Sequence, residues 1–193
     1  MADEATEHRV VGELRLDDET TLVFSVYSLN KRRLGSARIY REAKGYAGPT
    51  RAGFDIQLEQ VRELVPILSQ LSVALDDGAT APPVEVGRIA SGRTNEWVVT
   101  LLEPDDQRDE AMLDIRKFVT SEKFTGWTKK GLRVSIDFLD DMIPHLVAVQ
   151  DALVDWQEGR SGLFDSPDDT DQDDSPDDPD DRPSIPPEYR DLF

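Results

Sequence analysis

One segment of this chain occurs twice. Thr50-Arg51-Ala52-Gly53-Phe54-Asp55-Ile56 leads into Glu63-Leu64-Val65-Pro66-Ile67-Leu68, and Thr128-Lys129-Lys130-Gly131-Leu132-Arg133-Val134 leads into Asp141-Met142-Ile143-Pro144-His145-Leu146. Gly53 and Gly131 lie 78 positions apart, as do Pro66 and Pro144, so loop, glycine and helix proline keep one register in both copies. A repeat of this length implies two similar supersecondary units, each too small to bury a large core alone. They are expected to pack together as a pseudo-dimer inside one chain.

Charge is distributed in a way that the total conceals. The 193 residues carry a formal charge of −18, but residues 164–193 contribute 12 acids against Arg182 and Arg190, and residues 1–20 contribute seven acids against Arg9 and Arg15. Between 21 and 163 there are 21 acids and 18 bases, so the repeated part is nearly neutral and the low pI of the whole chain does not exclude a polyanionic partner. There is no cysteine, which removes disulfides, thiol nucleophiles and thiolate-held metals. The acidic start has no basic and apolar signal pattern, and no apolar run approaches the ~20 residues of a membrane span. The expected location is cytoplasmic, nucleoid-associated in a bacterium, with no membrane partner.

Residues 22–26 and 97–102 are β-branched and aromatic runs that predict opening strands. Polar stretches at 30–36 and 103–110 predict hairpin connections, 37–41 and 112–118 second strands, 46–49 and 123–128 third strands or turns, and 54–58 and 132–136 fourth strands. The period then changes from 2 to 3.6. Val61, Leu64, Val65, Leu68, Leu71 and Leu75 share a helix face, as do Leu139, Met142, Ile143, Leu146, Val149 and Leu153. Asp137 is the expected N-cap of the second helix, with Glu59 in the equivalent place, and Pro66 and Pro144 predict a kink in each. The divisions are an acidic N-terminal segment (1–20), a first ββββα repeat (21–77), a linker (78–95), a second repeat (96–158) and a disordered acidic tail with a hydrophobic tip (159–193). The fold class is α+β: two ββββα repeats with curved antiparallel sheets and two kinked helices.

This order, with a basic glycine loop before the fourth strand, resembles the transcriptional positive cofactor four family of single-stranded DNA binders. Leu113-Asp114-Ile115-Arg116 is similar to that family's strand ending, Thr128-Lys129-Lys130-Gly131-Leu132 to its Lys-Lys-Gly loop, and Ile143-Pro144 through Leu153 to its proline-containing helix. In the first copy, Pro49 to Gly53 matches the loop and Leu64-Val65-Pro66 the helix, whereas Arg38-Ile39-Tyr40-Arg41 departs from Asp-Ile-Arg. The resemblance implies dimer-like packing through the helices, with paired sheets presenting a basic, aromatic surface to unpaired nucleic acid.

Unpaired nucleic acid requires cations along its phosphates and aromatic faces for its bases. The first copy supplies Lys31, Arg32, Arg33, Arg38, Tyr40, Arg41 and Arg51, and the second supplies Arg116, Lys117, Phe124, Trp127, Lys129, Lys130 and Arg133. Trp127, just before the Lys-Lys-Gly loop, is the favoured stacking residue, while Trp97 and Trp156 are assigned to the core or an interface. The ligand expected is single-stranded DNA, with RNA as the alternative, bound with little sequence preference in DNA maintenance or transcription. The rival class is a protein-interaction adaptor or transcription cofactor that keeps the fold without the binding.

No phosphate cradle, nucleophile motif or catalytic acid pair stands out, so no enzyme activity and no cofactor are expected. His8 and His145 have no partners at ligand spacing, His145 being read as a surface residue of its helix, and the Asp169–Asp180 stretch lacks the glycine of a calcium loop, so no metal is expected either. The acidic tail ends in Tyr189, Asp191, Leu192 and Phe193 and resembles in design the tails of bacterial single-stranded DNA-binding proteins. That likeness implies recruitment of a protein partner, or regulation of binding by competition. Whether the fused chain assembles further is left open.

Overall fold

A chain whose apolar residues alternate in short runs and then adopt helical spacing can bury both patterns by laying helices on one face of a sheet. The structure is a computed structural model and describes residues 7–77, 84–104, 106 and 109–159. Its strands are β1 (Glu7–Arg15), β2 (Thr20–Leu29), β3 (Arg32–Ala43), β4 (Tyr46–Ile56), β5 (Val84–Ala90), β6 (Asn95–Leu102), β7 (Met112–Thr120) and β8 (Thr125–Ser135). The helices are α1 (Leu58–Asp76) and α2 (Leu139–Gln157). The ββββα unit therefore occurs twice, as the sequence predicts. The strands form one antiparallel sheet in the order β1-β2-β3-β4-β8-β7-β6-β5, in which the two four-stranded halves are joined through β4 and β8.

Several boundaries differ from expectation. The runs at 22–26 and 97–102 are second strands, not first ones, because β1 lies in the acidic segment 1–20 and β5 in the stretch assigned to the linker. Alternating charge and a glycine at a bulge in each strand, Gly12 and Gly87, disguise both as loop. The third and fourth strands expected in each copy are single long strands, β4 and β8. Arg32 to Ser36 belong to β3, and the turn is only Asn30-Lys31, with φ of 50° and 62°. Gln57, not Glu59, precedes α1, its N–H donating to Gln60 Oε1 at 2.9 Å. Before α2 a short 3₁₀ turn, Ile136–Phe138, is capped by Ser135, so Asp137 is not the N-cap. Both helices continue through Pro66 and Pro144. Beyond Gly159 the expected tail lies outside the described residues, and so do Tyr189, Asp191, Leu192 and Phe193.

The helices are exchanged between the halves. α2, from the second repeat, packs on β1, β2 and β3 of the first, and α1 packs on β5 of the second as well as on α2. A glycine notch receives each helix. A Cβ on Gly12 would fall 2.3 Å from the His145 ring, and one on Gly87 would fall 2.9 Å from Ile67. Each incoming side chain directly follows a helix proline. His145 also stacks on Phe24 with ring centroids 5.0 Å apart, so it belongs to the helix–sheet interface and is not a surface decoration. Gln60 Nε2 donates to the Ala90 carbonyl at 3.0 Å and ties α1 to β5. Fully buried Leu22, Phe24, Phe54, Ile56, Leu64, Leu68, Ile115, Leu132, Met142 and Leu146 form the core of this arrangement.

Candidate nucleic-acid interface

The basic loops of the two copies meet where the two halves join. Gly53 pairs with Gly131 across β4 and β8. A Cβ on Gly53 would lie 2.5 Å from the Ala37 carbonyl oxygen, and one on Gly131 would lie 2.5 Å from that of Ile115, so both positions require glycine for close strand approach. Each loop is pinned in the same way, the Ala52 N–H donating to Thr50 Oγ1 at 3.1 Å and the Lys130 N–H to Thr128 Oγ1 at 3.2 Å. The repeat that organises the sequence is thus the motif that builds the seam.

A cleft of about 580 Å³ opens at this seam, lined by Arg38, Arg51, Gly53, Phe54, Asp55, Trp97, Lys117, Lys129 and Lys130. Five cations face one acid. Arg51, Lys129 and Lys130 take part in no ion pair among the described residues, which leaves their charge available to a ligand. Lys117 Nζ sits 5.5 Å from the centre of the Trp97 ring. Burial, and then the charge of Lys130, hold its ammonium below the ordinary lysine pKa. The Trp97 indole N–H in this wall is buried and has no hydrogen-bond partner. An anion entering the cleft would relieve the repulsion between Lys117 and Lys130.

Not every predicted cation is available. Arg38 makes two 3.1 Å contacts to the Asp55 carboxylate. Burial, together with the charge of Asp55 and a hydrogen bond to it, pushes the Tyr27 phenol well above its ordinary pKa. In the second half Asp114, nearly buried, accepts from Arg116 at 3.0 Å and from Arg133 at 3.1 Å. Arg41 pairs with Glu19 at 3.3 Å. Arg33 donates to the Trp156 carbonyl and lies 5.1 Å from the Trp156 ring centre, which places it against α2 and away from the seam. Lys31 and Arg32 line a separate, open depression with the start of α1 and Gln157.

The aromatic candidates gather toward the hairpin ends. Trp127 is half-exposed and packs edge-to-face on Phe118 at 5.1 Å, and Phe124 is equally exposed at the β7–β8 turn. Tyr46 occupies the equivalent turn of the first half, 78 positions earlier, and is exposed to the same extent. Tyr40 is half-buried on β3, directly opposite Pro49. The selection of binding residues from sequence left out Tyr46, although Tyr46 is among the aromatics that interleave with the first copy's cations and is equivalent to Phe124. It also missed Asp55 and Asp114, which stand at non-equivalent positions and therefore leave no trace in the repeat.

No protein-family model matches this chain, and no curated protein does. Among solved structures it is similar to the crystal structure of WHY1 from Arabidopsis thaliana, with 8% sequence identity, 89% of this chain and 99% of that chain covered, and a TM-score of 0.36. So loose a likeness carries no argument, and the candidate site stands on this chain's own residues. Among the described residues no group of three or more His, Asp or Glu is placed to hold a metal ion. Among them, too, no helix is long and apolar enough to cross a membrane.

Proposed function

We propose that this protein binds single-stranded nucleic acid, DNA in the first place, through the seam cleft and the aromatic hairpin ends beside it. The observation that carries the proposal is the meeting of Arg51, Lys117, Lys129 and Lys130 at one cleft. Half-exposed Trp127 precedes Lys129 by two residues on β8, and Phe124 lies at the turn before that strand. Cations take the phosphates and the aromatic faces take bases, at ~1 to 3 kcal/mol per stacked base and without strong sequence preference. The binding set proposed from sequence is narrowed accordingly: Lys117, Lys129, Lys130, Arg51, Trp127 and Phe124 lead, and Arg33 is structural. The role is in DNA maintenance or transcription, with the acidic tail as a recruiting or competing segment ending in Leu192 and Phe193.

The test is fluorescence anisotropy of a labelled mixed-sequence single strand and of its duplex across a salt series. Tight binding that favours the single strand and weakens steeply with salt is expected. Absence of binding would favour the adaptor reading, which has its own support in the many ion pairs that spend surface charge internally: Arg38 with Asp55, Arg88 with Glu85 and Glu96, Arg116 and Arg133 with Asp114. An RNA strand of the same sequence in the same titration distinguishes the two nucleic acids.

A further inference from the structure

The two halves share a backbone plan but not a charge plan, and strand register allows them to be compared position by position. Gly53 and Gly131 pair with each other, and each also stands opposite an arginine, Arg38 on β3 and Arg116 on β7. Counting outward from these anchors, Ile39 corresponds to Lys117, Ala52 to Lys130, and Asp55 to Arg133, while Arg51 corresponds to Lys129 and Ser36 to Asp114. Over these positions the second half carries five cations and one acid, whereas the first carries two cations and one acid. Pro49 stands where the second half has Trp127. Away from these positions the balance shifts. The tip of the first half has Lys44, Glu42 and an Arg41 that Glu19 already neutralises, against Lys123 and Glu122. The far end of β3 and the turn before it have Lys31, Arg32 and Arg33 where the second half has Asp109 and Glu110, with Arg33 held against α2.

We infer that nucleic acid is held from one side: the second repeat and the seam cleft grip a single strand, and the first repeat serves as its scaffold. A two-fold symmetric platform would accept two equivalent strands, or one strand in either direction. Here the two-fold is broken at the residues that would touch phosphate, so one strand binds per chain and in a preferred polarity. The acid swap removes Arg38 from the binding surface: Asp55 occupies it at the place where the second repeat puts a further arginine, Arg133, and Arg51 remains as the first repeat's contribution to the seam cleft. The lysine with the most to gain from an anion, Lys117, has only Ile39 as its counterpart.

This inference rests on the proposed function, and the test separates the two. Two position-matched variants of the full chain are compared in the same anisotropy titration, Phe124→Ala with Lys130→Ala, and Tyr46→Ala alone, because Ala52 already stands where the second repeat has Lys130. All three side chains are exposed, so both variants are expected to keep the wild-type circular dichroism and melting temperature. The second-repeat variant is expected to lose at least tenfold in affinity for the single strand, and the first-repeat variant threefold or less. A stoichiometric titration at low salt should give one strand per chain. Equal losses, a larger loss from the first-repeat variant, or two strands per chain would overturn one-sided binding while leaving nucleic-acid binding intact. No binding by the wild-type full chain would overturn both.

Discussion

At Lys117 the fold keeps an ammonium in a place where burial and the charge of Lys130 both act against it. A lysine whose folded pKa is depressed binds fewer protons than the unfolded chain over the window between the folded value and its ordinary one. Stability should therefore rise with pH through that window, and the penalty is fully present below it. Lys117→Met removes the penalty and keeps the Trp97 contact apolar. The variant should melt higher at neutral pH, lose the alkaline rise attributable to this group, and bind a single strand several-fold more weakly. The slope of log affinity against log salt should fall by about 0.7 for the lost phosphate contact. Gly131 tests the seam rather than the charge. Alanine there must displace the Ile115 carbonyl, so Gly131→Ala should cost about 2 to 3 kcal/mol in a denaturant titration, several times the cost of an ordinary surface substitution.

At the scale of elements, the glycine notches make the helix exchange testable. Gly87→Ala should overpack against Ile67 and cost about 1 to 3 kcal/mol. Ile67→Ala loses packing of its own, yet the double variant should recover part of the Gly87→Ala loss. A coupling energy near zero would mean that the two side chains do not meet. The same notches explain what the sequence leaves hidden. The helices and long strands near the repeat were legible, because glycine, proline and helical spacing keep one register. β1 and β5 were not, although Val11-Gly12-Glu13-Leu14 and Val86-Gly87-Arg88-Ile89 are a second repeat, 75 positions apart. Its spacing differs from 78 because the β6–β7 connection is longer than the two-residue β2–β3 turn. In the candidate site, which lysines and arginines cluster could be read from the loops. Which of them are neutralised could be read only in part: Asp114 and Arg116 are neighbours on one strand, but Asp55 reaches Arg38 and Asp114 reaches Arg133 only through strand register.

For the whole molecule, the uneven charge becomes a matter of ionic strength. The repeated part is nearly neutral, and the residues after Leu163 carry a net charge of −10. If that segment competes with nucleic acid for the seam lysines, a chain ending at Leu163 should bind a single strand more tightly than the full chain at low salt. The difference should shrink as salt screens both interactions. Unchanged affinity at low salt would exclude competition and leave recruitment as the tail's role.

The exchanged helices also constrain how the protein comes into being. The sheet formed by β1 to β4 is covered mainly by α2, whose last residue, Gln157, is made about a hundred residues after β4 ends at Ile56. At ~5 to 20 residues per second, a ribosome would expose the apolar face of that half-sheet for on the order of 5 to 20 seconds before its cover exists. Folding of the first half must wait for the second, so a stalled or truncated message yields an aggregation-prone fragment, not half of a working protein.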